Sequence, residues 1–95
     1  MNNQVQEVEK SFTRSGKLYT QTHKTDKGYI YEVKDEDSRY YEVFKIKETE
    51  ILSDFENKIG SGEFKHRYPG NNDFGVWAWC PYKLDRAIEI LNSFE

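Results

Sequence analysis

What this sequence has little of narrows its function before any motif is considered. Its 95 residues include one cysteine, Cys80. No internal disulfide can form, a single thiol is no metal framework, and a reducing compartment is the natural setting. No apolar run approaches the ~20 residues of a membrane span, and Met1-Asn2-Asn3-Gln4 opens no signal peptide, so the expected location is cytoplasmic with no membrane partner. Aliphatic bulk is scarce as well. Leu, Ile, Val and Phe supply 21 of 95 residues, close to the level of about 20% below which chains tend to be disordered. An excess of basic charge is also missing: 14 Lys and Arg against 17 Asp and Glu leave a net charge of −3. That balance argues against holding duplex DNA mainly through its phosphates.

What is present is aromatic. Seven Tyr, six Phe and two Trp make up 16% of the chain, a content that disordered segments lack even at a mean hydropathy of −0.96. The chain is therefore expected to fold, as a single domain over residues 1–95 with a small aromatic core and a disordered tail at 1–6.

Periodicity and turn residues predict the order of elements. Ser15-Gly16 joins a strand at about Val8 to Arg14 to a polar, edge-like return at Lys17 to Lys24. Thr25-Asp26-Lys27-Gly28 turns into Tyr29 to Lys34, where Tyr29, Tyr31 and Val33 share a face. After the acidic loop Asp35 to Ser38, residues Arg39 to Ile46 carry bulk on both faces, as a central strand does. Ile51, Leu52, Phe55 and Ile59 form a helical stripe within 48–59, and 60–73 reads as a long loop with room for a short strand at Glu63 to Arg67. A strand from Phe74 to Cys80 would put Trp77 and Trp79 on one face and Val76, Ala78 and Cys80 on the other, ending at Pro81. Leu84, Ala87, Ile88, Leu91 and Phe94 recur at helical spacing, with Asp85 in the first turn. The expected fold is α+β, an antiparallel β-meander of four to five strands with a C-terminal helix packed on one face.

Tyr41-Glu42-Val43-Phe44-Lys45, then Tyr68-Pro69-Gly70-Asn71-Asn72-Asp73-Phe74-Gly75, Trp77-Ala78-Trp79, and Leu84 with Ala87 and Phe94 form an ordered series. It resembles that of a group of small proteins encoded by phages and integrated mobile elements, especially in Bacteroidetes-type bacteria. The resemblance runs from Tyr41 to the C-terminus and leaves the N-terminal hairpin unmatched. It departs at Lys83, where group members often place a Thr or Ser able to cap the helix. It implies a phage-like origin and an α+β fold, and carries no activity and no catalytic residues.

No reaction centre assembles from the remaining residues. Cys80 with His23 or His66 invites a thiolate reading, but strand alternation puts Cys80 on an apolar face as an inert core thiol. His23, His66, Asp73 and Cys80 are too scattered for a metal site. Gly60-Ser61-Gly62 is followed by Glu63 and Phe64, where a phosphate loop would need Lys and a hydroxyl. The carboxylates sit in polar sequence, without the apolar cleft that would separate their pKa values.

The expectation is a small non-enzymatic protein-binding module of phage or mobile-element type, needing no metal or cofactor. Its partner would be a host protein, such as a nucleic-acid-handling defence enzyme inhibited in an anti-CRISPR-like manner. Glu48, Glu50, Asp54, Phe55 and Glu56 would supply the contact, charges steering and apolar anchors holding, with Trp77 and Trp79 as a second patch. The alternative is a single-stranded nucleic-acid binder that stacks bases on Tyr29, Tyr31 and Trp77 beside Lys65 and Arg67. An open strand or aromatic face would also suit a homodimer rather than a monomer.

Overall fold

Strands rich in Tyr, Val, Ile and Phe pair where the intervening turns allow positive φ. The computed structural model describes residues 5–54 and 56–94. Its strands are β1 (Ser11–Arg14), β2 (Lys17–Lys24), β3 (Gly28–Asp35), β4 (Ser38–Lys45), β5 (Glu48–Asp54), β6 (Ile59–His66) and β7 (Ala78–Trp79), with a 3-10 turn at Asn71–Asp73 and helix α1 (Leu84–Asn92). They form a five-stranded sheet ordered β1-β2-β3-β4-β7 and a two-stranded sheet of β5 and β6, with every strand pair antiparallel. The fold is α+β, as the periodicities predict.

The β1–β2 turn carries φ of 55° at Ser15 and 78° at Gly16, the doubly positive pair that matches strand twist. At the next turn the Thr25 hydroxyl accepts from the amides of Lys27 and Gly28. The pairing of β2 with β3 slips at Thr22, so that Gln21 faces Tyr31 and His23 faces Ile30, and the Thr22 hydroxyl donates to the Ile30 carbonyl at 3.3 Å.

β3 and β4 bury side chains on both faces. On one, Ile30, Tyr41 and Val43 lie under Ala87 and Leu91 of α1, with Trp79, Leu84, Ile88 and Phe94 packed around them. On the other, Tyr29 and Tyr31 stack against Phe44 with ring centroids 5.3 and 5.8 Å away, and Phe12 stacks on Tyr19 at 4.8 Å. Each such buried side chain contributes about 1.5–3 kcal/mol by leaving water, and stacked ring pairs add roughly 0.5–1.5 kcal/mol. The helix starts at Lys83 without a side-chain cap, and Asp85 lies in its first turn, where the dipole favours a carboxylate.

The chain divides into two compact units, one formed by the N-terminal stretch to Val8 with Lys47–Tyr68, the other by Glu9–Ile46 with Pro69–Glu95. The structure corrects three expectations. The described residues of 48–59 are not helical: Glu48–Asp54 is a strand, because Ile59–His66 offers it a backbone partner and β-branched Thr49 and Ile51 suit a pleated ladder. The same pairing turns much of the expected 60–73 loop into β6. The expected strand over 74–80 shrinks to Ala78–Trp79, since Gly75 takes φ 91° and residues 75–77 turn. Of the tail at 1–6, residues 1–4 lie outside the described residues. Gln6 bridges β6 in parallel, its amide donating to the Phe64 carbonyl and its carbonyl accepting from His66 N–H.

Candidate functional site

The acidic strand expected to bear the contact surface folds as half of a β-ribbon, and its carboxylates find partners there. Glu50 accepts from Gly62 N–H at 3.0 Å, fastening the bulge where φ reaches 83°. Asp54 accepts from the backbone and side-chain amides of Asn57 at 3.2 and 2.8 Å, closing the turn, and these hydrogen bonds hold its carboxyl below the usual range. Glu48 stands 3.9 Å from His66 Nε2, an ion pair whenever that ring is protonated. Glu56 is exposed in the turn, and Phe55 lies outside the described residues.

Antiparallel pairing sets Glu48 opposite His66 and Thr49 opposite Lys65. The acidic and basic stretches that look segregated in sequence are therefore neighbours, each offsetting the other. What the ribbon leaves open includes apolar side chains. Six large hydrophobic residues are exposed among the described residues, and three of them, Leu52 (36%), Ile59 (53%) and Phe64 (40%), are on this ribbon. Phe64 stands opposite Glu50 and Ile59 opposite Asp54, with Leu52 between those two carboxylates along β5. None of the described residues of β5 or β6 is buried. Sequence reading missed these anchors because it placed Leu52 and Ile59 on a helical stripe and Phe64 on a short strand within a long loop.

The aromatic surface required for base stacking is not open. Tyr29 and Tyr31 are fully buried and Trp77 is 7% exposed, edge-on to Phe44 at 6.3 Å. Trp79 instead faces the helix and lies 5.6 Å from Phe94. The two tryptophans fall on opposite faces because Trp77 belongs to the turn and only Trp79 to the strand, so the expected shared patch does not exist. Lys65 and Arg67 are exposed at the end of β6, and no stack of open rings joins them.

Chemistry-bearing side chains converge elsewhere, in a pocket of ≈ 190 Å³ between the β1–β2 hairpin and the chain after Pro69. Its walls include Arg14, Lys17, Tyr40, Phe74 and Cys80, with buried Tyr19 and Glu42 beneath. Lys17 Nζ donates to the Tyr40 hydroxyl at 3.2 Å, and that bond holds the ammonium above its usual range. Burial pushes the Tyr19 phenol up, and Glu42 adds to the shift. Cys80 is exposed rather than in the core, yet its thiol is raised first by the packing around it and then by Glu42. The thiol is therefore kept protonated, the opposite of what a nucleophile requires. A larger groove of ≈ 550 Å³, bordered by Lys45, Trp79, Arg86, Ile90 and Phe94, has no carboxylate among the described residues of its lining.

Among the described residues no three His, Cys, Asp or Glu side chains are placed to hold a metal ion, and no helix is long and apolar enough to cross a membrane. No protein-family model, curated protein or solved structure matches the chain.

Proposed function

We propose that the protein is a non-enzymatic binding module that engages another protein through the β5–β6 ribbon. The observation that carries this reading is the ribbon's three exposed apolar side chains, Leu52, Ile59 and Phe64, among carboxylates whose positions are set by internal hydrogen bonds. Apolar anchors ringed by polar groups are what an interface core needs. A ribbon none of whose described residues is buried gains most from a partner that covers it.

Because His66 and Lys65 lie beside the acidic strand, the contact is led by apolar burial, with charge setting orientation. The phage-type resemblance makes a host protein the partner class, and interference with a nucleic-acid-processing defence enzyme the consequence that fits so small a chain. A photo-crosslinking residue placed at position 64, compared with one at the exposed Leu18 of β2, tests this reading. The expected outcome is one stoichiometric host adduct from position 64 and none from position 18, lost in the double variant Leu52→Ser, Ile59→Ser. Equal labelling from both positions, or an adduct indifferent to the double variant, would refute the ribbon as the contact.

A further inference from the structure

We infer, resting on the ribbon as the contact surface, that β5 receives a third strand: an extended basic segment of the partner protein, antiparallel to β5, with Lys or Arg opposite Glu48 and Glu50. The ladder shows which backbone groups are open to it. The Lys47 carbonyl accepts from Arg67 N–H at 2.8 Å. On the far side of β6, the Gln6 amide donates to the Phe64 carbonyl at 2.9 Å, and the Gln6 carbonyl accepts from His66 N–H at 2.8 Å. Because successive residues of a strand turn their backbone groups to opposite sides, Phe64 and His66 face Gln6 while Lys65 faces Thr49. Glu48 and Glu50, opposite His66 and Phe64, therefore turn their N–H and C=O groups away from β6. Among the described residues β6 is the only strand beside β5, so these groups form an open edge. Both residues are exposed, and an exposed edge is where an extended peptide adds through main-chain bonds.

The edge selects against a second copy of this chain. In an antiparallel pair, outward-facing residues meet outward-facing residues, so self-pairing sets Glu48 against Glu48, Glu48 against Glu50, or Glu50 against Glu50. Every such register places carboxylates directly opposite each other, which destabilises the pair. A strand with Lys or Arg at alternate positions reverses the sign at the same places. The bonds these side chains already make leave that preference intact. Gly62 N–H, 3.0 Å from the Glu50 carboxylate, is a neutral donor and leaves the charge in place, and the Glu48 side chain remains 49% exposed beside His66. Beyond Glu50 the ladder is interrupted by register shifts, so the added strand is short. Its main-chain bonds set orientation, while Leu52 and Phe64 supply the apolar contact.

The test is a titration of the whole ¹⁵N-labelled protein with three synthetic peptides, read by amide hydrogen exchange. One is acetyl-Val-Lys-Val-Lys-Val-Lys-Val-amide, the second has Glu in place of each Lys, and the third is the Lys peptide N-methylated at each Lys. At saturation with the Lys peptide, exchange at Glu48 and Glu50 is expected to slow at least about tenfold, while Thr49, already turned to Lys65, is unchanged. The Glu peptide should bind at least about tenfold more weakly. The methylated peptide keeps the charge but lacks the facing donors, and should give no protection. Glu48→Gln, which keeps the backbone edge, should weaken the Lys peptide about two- to fivefold. No saturable protection with the Lys peptide, equal binding of the Glu peptide, or protection by the methylated one would each overturn strand addition. Protection of Glu48 and Glu50 that grows with protein concentration alone would make the occupant a second copy and overturn the basic segment. A cross-linked adduct from position 64 without edge protection would retain the ribbon as the contact and remove the third strand.

Discussion

β3 with β4 and β5 with β6 are antiparallel pairs of almost equal length, and they differ in what lies on their faces. β3 buries Tyr29, Tyr31 and Val33 on one side and Ile30 on the other, between an aromatic stack and a helix. The described residues of β5 and β6 bury none, and the pair is bent by two register shifts, one fastened by Glu50 and one beside the Asp54 turn. Backbone pairing is thus common to both, and stability is not. In the first pair the ladder is held by rings that have left water; in the second, side-chain hydrogen bonds at turn and bulge hold a surface that remains available.

The sharpest way to break this comparison is to remove one phenylalanine from each pair. Phe44→Ala is expected to cost about 3–5 kcal/mol, because the ring is fully buried against Tyr29, Tyr31 and Trp77. Phe64→Ala, at a 40% exposed position, is expected to change stability by about 0.5 kcal/mol or less. Urea unfolding of both variants checks the contrast, and equal losses would show that the ribbon is as much core as the sheet.

A glycine in each pair provides the next test. A Cβ at Gly28 would run into the Phe94 ring and into the Phe44 backbone carbonyl, which cannot move away without shifting the strand. Gly28→Ala should cost about 1–3 kcal/mol. At Gly60 the obstacle is the Glu50 carboxylate, the end of a flexible chain. Gly60→Ala should therefore cost no more than about 1 kcal/mol, the worth of Glu50's bond to Gly62, again read from the urea midpoint.

A smaller effect concerns Cys80, on the sheet side of the comparison. With its thiol raised by packing and by Glu42, alkylation near pH 7 should run several-fold slower than for free cysteine, since only the thiolate reacts. The rate midpoint should lie above the ordinary value of about 8.5. A rate equal to that of free cysteine would contradict this arrangement.

The smallest effect belongs to the ribbon turn. The Asp54 carboxyl is lowered by Asn57. Its contribution is therefore present above the usual carboxylate range and is lost as pH falls through the lowered value. Amide exchange at Asn57 should accelerate on acidification while β3 amides stay protected. Unchanged exchange in Asp54→Asn would show that the turn does not depend on the charge.

Much of the fold was legible in the chain. The Ser15-Gly16 turn, the two-sided bulk of Arg39 to Ile46 and the stripe of Leu84, Ala87, Ile88 and Leu91 each carry their own local signal and form the element they predict, whereas Lys17 to Lys24, polar enough to read as an edge, is a strand flanked by β1 and β3. Where two local signals compete, the sequence is silent. Ile51, Leu52 and Ile59 satisfy a helical period, and only the arrival of Ile59–His66 as a partner for Glu48–Asp54 decides for a strand. Likewise the alternation through Trp77 and Trp79 holds only if Gly75 stays extended, and it does not.

The candidate sites divide in the same way. Composition alone determined that the chain would fold around aromatics, since its few aliphatic residues leave no other source of buried area, and that its single thiol could form no internal disulfide. Tertiary structure decided which rings are spent in the core and which apolar residues stay outside. It also set Glu48 beside His66 and brought Lys17 and Glu42 to the same pocket. The reason is physical: burial and charge pairing depend on neighbours supplied by distant parts of the chain, whereas turns and periodicity depend on residues next to one another.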